Sequence, residues 1–159
     1  MPIAKSCGCP ELDLSRWDQK VQKLDVHFYS IPILHLFYAP VAADRKLAEA
    51  EARAVSSGYH LPAVPMRLVR AARFLGGSAI VEIKEVGLGD RQVFRFSGAY
   101  PCTVFRGPRR ELPKRIRAMH AADPNLESVY LWNVTCPRCA PDEKDRVTIL
   151  IAETLVGSE

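Results

Sequence analysis

Two close pairs of cysteines are the side chains best suited to chemistry in this sequence. Cys136-Pro-Arg-Cys139 has the C-x-x-C spacing, whose thiolates can chelate one metal ion or close into a small redox disulfide. Cys7-Gly-Cys9, near the N-terminus, is a tighter pair that also suits a metal. Together they offer four soft sulfur ligands, the number a tetrahedral structural zinc site takes. Zinc or another soft ion at Cys7, Cys9, Cys136 and Cys139 is the first reading. A thiol-disulfide role and plain structural thiols are the alternatives, and whether the pairs meet depends on how the N-terminus folds back. Cys102 beside Pro101 reads as a small buried apolar residue, or as a nucleophile if it faces a cleft.

Other candidates are aromatic and acidic. Tyr38, Tyr100, Tyr130 and Trp132 are the aromatics expected to line a small-molecule cleft, although as core packing they need no function. Glu82, Glu85 and Glu153 stand in strand-like text, and Glu82 is the carboxylate placed in the expected ligand site. Isolated buried acids are costly and are found mostly where they act. His27, His35, His60 and His120 are far apart, so no spacing selects a haem ligand or a general base. No nucleophile elbow is written here, and Gly87-Leu-Gly89 lacks the lysine of a phosphate loop. Arg67, Arg70 and Arg73 read either as a helical anion-binding stripe or, by preference, as solvent-facing arginines.

With 159 residues, 48% of them hydrophobic, the chain can bury one real core. A net charge of +4, spread among 18 acidic residues, gives no basic tract, so a nucleic-acid partner is not expected. No apolar run is long enough for a membrane span, and Met1 to Cys9 has no signal-peptide core, which points to the cytoplasm. Five cysteines grouped in pairs fit metal or redox chemistry in a reducing compartment better than a disulfide framework.

The elements that must position these residues follow in order. Residues 1–25 read as a cysteine-bearing strap, irregular through Leu14, with Trp17 as an aromatic anchor. Val26 to Val41 reads as a strand with a bulge or edge at Pro32, with His27, Tyr29 and Ile31 on one face and Phe28 and Ser30 on the other. Ala42 to Ser57 is the clearest helix, with Leu47, Ala48, Ala52 and Val55 at helical spacing and Gly58 as its stop. Two strands follow Pro65, with a bend at Gly76-Gly77 and a turn at Gly87-Leu-Gly-Asp90. Gln92 to Arg106 reads as a strand pair broken at Gly98. Glu111 to Ala122 is a second helix, and Ser128 to Leu155 a hairpin around the CPRC loop. Strand, helix, strand, strand thus occurs twice, at about 26–90 and 91–159, which predicts an α+β domain of two βαββ halves with a cleft where antiparallel sheets meet.

SGAYPCTVFRGPRRELPKRIRAMHA, followed by SVYLWNV and RVTILIAETL, resembles the gyrase-inhibitor-like small-molecule-binding fold of multidrug-sensing effector domains and, more distantly, the SOUL haem-binding proteins. That resemblance implies the duplicated fold from about Val26 onward and a small ligand between the halves. Effector domains of this kind often carry a buried glutamate on the last core strand, where this chain has Thr148, and no helix-turn-helix lies beside the domain. CGCPE and TCPRCA are also similar to an uncharacterised bacterial family, which implies the cysteines but no reaction. The expected function is small-molecule binding with a cysteine metal site, as a sensor or carrier. A hydrolase acting on a small electrophile in the central cleft and a thiol-redox protein using the CPRC loop are the alternatives, so enzymatic activity stays open. The protein partner, natural ligand and oligomeric state are not legible.

Overall fold

Runs of β-branched and aromatic residues supply most of the chain's pairing surface, and they join edge to edge. The computed structural model describes residues 3–84 and 91–154, so Glu85 and the expected turn at Gly87 to Asp90 lie outside the described residues. In chain order the elements are strands β1 (Ile3–Ala4), β2 (Pro10–Glu11), β3 (Lys20–Ile33), β4 (His35–Leu36) and β5 (Ala39–Pro40), then helix α1 (Ala43–Ser56). Strands β6 (Arg67–Ala71), β7 (Gly77–Ile83) and β8 (Val93–Arg106) follow, then helix α2 (Leu112–Ala122) and strands β9 (Leu126–Asn133) and β10 (Val147–Thr154). The fold is mixed α+β, and its main sheet is antiparallel throughout: β10-β8-β3-β7-β6-β9 close into a six-stranded barrel. The two sheets expected to meet at a cleft join edge to edge, because β6 pairs with β9 and β3 with β8.

Alternation along each strand divides the core in two. Both helices must lie outside a closed barrel. Leu47, Ala50 and Ala54 of α1 and Leu112 and Ile116 of α2 belong to a cluster with Tyr29, Ile31, Val81 and Leu150, which marks the outer face. The other cluster holds no helix residue. Phe28, Leu68, Ile80, Phe96, Tyr130, Trp132, Ile149 and Ile151 belong to it and fill the interior.

The sequence-based expectations need four adjustments. Helix α1 buries Leu47 as expected, but then Ala50 and Ala54, while Ala48, Ala52 and Val55 face solvent. Arg67 to Arg73 do not form a helical stripe, because Arg67–Ala71 is strand β6. The residues expected as a broken strand pair form one 14-residue strand, β8, that runs through Gly98 and Pro101. Gly98 takes φ +143, which L side chains rarely adopt, and Pro101 lies one residue beyond the last β8–β10 pair, Cys102 opposite Ile151, at an edge on that side. Pro32 is likewise tolerated because β8 has already left β3 at Tyr29, so β3 there pairs only with β7. Finally, the N-terminal segment is partly regular: β1 and β2 form a small hairpin, a 3₁₀ turn follows at Leu14–Arg16, and β3 starts at Lys20.

Candidate functional site

The hairpin β1–β2 turns tightly at Gly8, whose φ of +90 suits glycine. The Lys5 N–H donates to the Cys9 carbonyl (2.7 Å) and the Gly8 N–H to the Lys5 carbonyl (2.8 Å), which points Cys7 and Cys9 the same way. A matching turn forms between β9 and β10. There the Ala140 N–H donates to the Cys136 carbonyl (2.9 Å) and the Cys136 N–H to the Cys139 Sγ (3.3 Å). The two turns meet, and the sulfurs of Cys7, Cys9, Cys136 and Cys139 all lie within 4.8 Å of one another, with 4.0 Å between those of Cys136 and Cys139. A tetrahedral ion with metal–sulfur bonds near 2.3 Å would hold its sulfurs about 3.8 Å apart, so this quartet needs to contract by less than about 1 Å.

The electrostatics of the quartet favour a cation. The backbone N–H of Cys139 directed at the Cys136 sulfur, helped by that of Arg138, lowers the Cys136 thiol to about 6. Burial and then the neighbouring thiols push Cys9 well above the usual thiol range. One thiolate is therefore easy to form, but four together require a positive ion among them, and a bound soft metal deprotonates its thiols outright. The fifth cysteine stands apart: Cys102 is buried on β8, and burial raises its thiol to about 11. That is an inert thiol rather than a nucleophile.

The strap that carries the first cysteine pair packs along the barrel. Downstream of β2, Leu12, Leu14 and Trp17 pack against the interior cluster, and the Trp17 ring meets Trp132 edge-on at 5.3 Å. The Val104 N–H donates to Asp18 (3.1 Å), holding the strap to β8. Trp17 is thus the anchor the sequence indicates, and the cysteine turns sit over the end of the barrel formed by Trp132, Val134 and Val147.

Of the aromatics expected in one cleft, three share the barrel interior. Tyr100 and Tyr130 flank Phe96 at ring separations of 4.3 and 4.7 Å, and Trp132 lies in the same cluster. Tyr38 does not join them. Its ring stacks on His120 of α2 at 5.4 Å, beside a groove of about 270 Å³ that Arg70 and Arg73 also line. The left-handed backbone of Phe37 and Tyr38 (φ 47° and 70°) turns it outward, a local conformation that strand alternation does not foresee. Glu82 is half-buried. It lies beside Phe28 on β3 and accepts the Met66 N–H (2.9 Å), and burial raises its carboxyl.

Glu153, singled out by sequence only as one of three strand acids, has the more developed surroundings. Tyr130 Oη donates to its carboxylate at 3.4 Å, and burial raises its carboxyl, with Glu127 adding and Arg70 opposing. Tyr130 in turn stays a phenol, pushed upward by burial and by the Glu153 charge. Arg70 Nε donates to the buried Ser128 hydroxyl (2.9 Å) on the same end of the barrel. Thr148 is buried and donates to Asn133 (2.8 Å). The signal that could have found Glu153 is the two-residue period of β10, which puts it on the face of Val147, Ile149 and Ile151.

No helix among the described residues is long and apolar enough to cross a membrane. Among solved structures, the C-terminal domain of EcmrR is similar with a TM-score of 0.60 at 12% identity, over 87% of this chain and 99% of that one. EcmrR in its DNA complex gives 0.57 at 12% identity, over 85% of this chain and 57% of that one, so the chain spans little more than half of its length. A hydrolase from Listeria innocua gives 0.47 at 14% identity, over 86% and 92%. At these identities the EcmrR likeness is one of fold. No curated protein sequence matches. A family model described as Bacterial hydrolase matches residues 2–154.

Proposed function

The chain belongs to the Bacterial hydrolase family, and on that premise we propose that it is a small-molecule-binding domain of gyrase-inhibitor-like type whose strap is clamped by a soft metal ion, such as zinc. The ordered repetition of strand, helix, strand, strand supports the duplicated βαββ reading, as does the fold shared with the EcmrR C-terminal domain. One observation carries the metal reading: four sulfurs from two distant hairpins converge within 4.8 Å. Cys7, Cys9, Cys136 and Cys139 would hold the ion. Bound there, it supplies the positive charge the four thiolates need and ties the strap to the barrel. With all four positions taken by cysteine it would be a closed, structural site rather than one with a position left for substrate.

A single site makes a specific prediction. Serine at Cys7 and Cys9 should release the same ion, in the same amount, as serine at Cys136 and Cys139; retention of the ion after either change would contradict a shared site.

The family membership favours hydrolysis as a second reading, and the Tyr130–Glu153 pair is the geometry that supports it. A carboxyl whose affinity for its proton is raised by burial is suited to donate that proton to a departing group while water attacks the electrophilic atom of the substrate, and the carboxylate so formed can take up the proton that the water gives off. In a panel of small activated esters and epoxides, Glu153→Gln should lower turnover of any hydrolysed member at least about 100-fold with little change in melting temperature. Equal turnover by the variant would remove Glu153 from the chemistry.

A further inference from the structure

The apolar surface of this molecule is unevenly distributed. Eight large hydrophobic side chains are exposed among the described residues, and six of them converge on two adjoining loops: Leu34, Leu36, Phe37 and Val41 after β3, and Phe74 and Leu75 between β6 and β7. The loops are joined by the His35 N–H donating to the Phe74 carbonyl (3.1 Å) and by the Phe37 and Phe74 rings, 4.8 Å apart. At their exposures, which reach 79% for Leu75, the six present on the order of 700 Å² of apolar surface, more than monomeric proteins usually leave in one patch.

This exposure is built into the backbone. Phe37, Tyr38 and Ala42 all have positive φ (47°, 70° and 56°), an arrangement that costs energy in residues with a Cβ. Beneath them His35 is 2% exposed with no hydrogen-bond partner at either ring nitrogen, and it packs so closely on Gly77 that a Cβ there would lie 2.3 Å from its ring. The left-handed residues and the close packing of His35 on Gly77 thus lie in the same segment as the exposed Leu34, Leu36 and Phe37. Between the loops lies a groove of about 510 Å³, walled by Ile33, Leu34, Val41 and Leu75, floored by Gly77, and edged by Arg45 and Lys46 of α1. That volume is within the range of small-ligand sites. Lys46 is paired with Glu49 (3.1 Å), whereas Arg45 makes no ion pair among the described residues.

We propose that this groove binds the chain of a single anionic amphiphile, a fatty-acid-type carboxylate, with the Arg45 guanidinium at its head group. The apolar walls take the chain and the unpaired cation takes the charge, so the two halves of the ligand match the two halves of the site. A second copy of this chain fits less well, because a two-fold contact through the patch would bring Arg45, Lys46 and Arg73 of one copy toward the same cations of the other. The site lies away from the cysteine quartet and does not depend on the function proposed above.

The test is calorimetric titration of the full chain with octanoate, decanoate and dodecanoate below their micelle concentrations, beside neutral dodecanol and a cationic dodecyl ammonium. Dodecanoate should bind one per chain, at least about tenfold more tightly than octanoate, since each buried methylene adds to affinity. Leu75→Asp should abolish that binding. Arg45→Glu should weaken dodecanoate about tenfold or more and leave dodecanol unchanged. Because both residues are exposed at the rim, the variants should fold, and an unchanged melting temperature without ligand checks this. Failure to bind any of the amphiphiles would overturn the proposal. So would binding that is indifferent to head-group charge or to Leu75→Asp, association only with anionic phospholipid vesicles, or a wild-type dimer that Leu75→Asp converts to monomer.

Discussion

Serine at both Cys136 and Cys139 should detach the strap and leave the barrel standing. Loss of a shared ion would remove the cross-link between the β1–β2 hairpin and the β9–β10 loop, leaving Leu12, Leu14 and Trp17 held by their contacts with the interior cluster and by the Asp18–Val104 hydrogen bond. Release of those three apolar side chains would cost about 4 kcal/mol, which for a domain of this size lowers the melting temperature by on the order of 10 °C. Trp17 would separate from Trp132, so tryptophan emission should shift to the red, and limited proteolysis should cut the segment before β3 while sparing residues from Lys20 onward. Unfolding of the entire barrel at room temperature would mean that the quartet supports the core itself. No change in emission or in protease sensitivity would mean that the strap is held by packing alone.

Phe96→Ala should have an effect of similar size on the barrel. Phe96 is 2% exposed and meets Tyr100, Tyr130 and Phe28 at ring separations of 4.3, 4.7 and 5.7 Å, so it is the side chain through which the interior aromatics touch. Its truncation removes the buried ring and leaves a cavity that neighbouring strands, fixed in a closed ladder, are poorly placed to fill. The expected loss is about 3–5 kcal/mol, read as a fall in urea midpoint at unchanged slope. The same cavity should admit small aromatic compounds that raise the variant's melting temperature by more than they raise that of the wild type. A loss under about 1 kcal/mol would show that the interior relaxes around Phe96, and that the aromatics do not form the packed unit inferred from their geometry.

Much of the scaffold could be read from local chemistry, while the way its parts meet could not. The β9–β10 hairpin and both helices are written in residue types and in stop signals such as Gly58 and Asp123-Pro124. The buried face of α1 was harder, because alanines at 43, 48, 50, 52 and 54 surround the helix and give the periodicity little contrast; packing against β3 and β7 selects Ala50 and Ala54. Gly98 and Pro101 suggested a break, yet a long two-stranded ladder with β3 absorbs both. Closure of the barrel depends on the β6–β9 and β3–β8 pairings between distant segments, which no local pattern encodes.

The candidate sites divide in the same way. Each cysteine pair is recognisable by spacing, but their convergence is a property of the strap's path, which Trp17 and Trp132 help to fix. Tyr100, Tyr130 and Trp132 share one interior face. Tyr38 was separated from them by two residues in left-handed conformation, and Glu153 acquired its partner Tyr130 only through the β9–β10 register.

The central claim is that four cysteines share one soft metal ion, and its most direct test is elemental analysis combined with a thiol count. Protein purified anaerobically, without added metal, should contain about one zinc or comparable ion per chain. Under native conditions four of its five thiols should resist a small alkylating reagent until a chelator is added, with buried Cys102 unreactive until unfolding. Protein free of metal, in which Cys7, Cys9, Cys136 and Cys139 react at once or are recovered as a reversible Cys136–Cys139 disulfide, would contradict the claim and favour the thiol-redox reading.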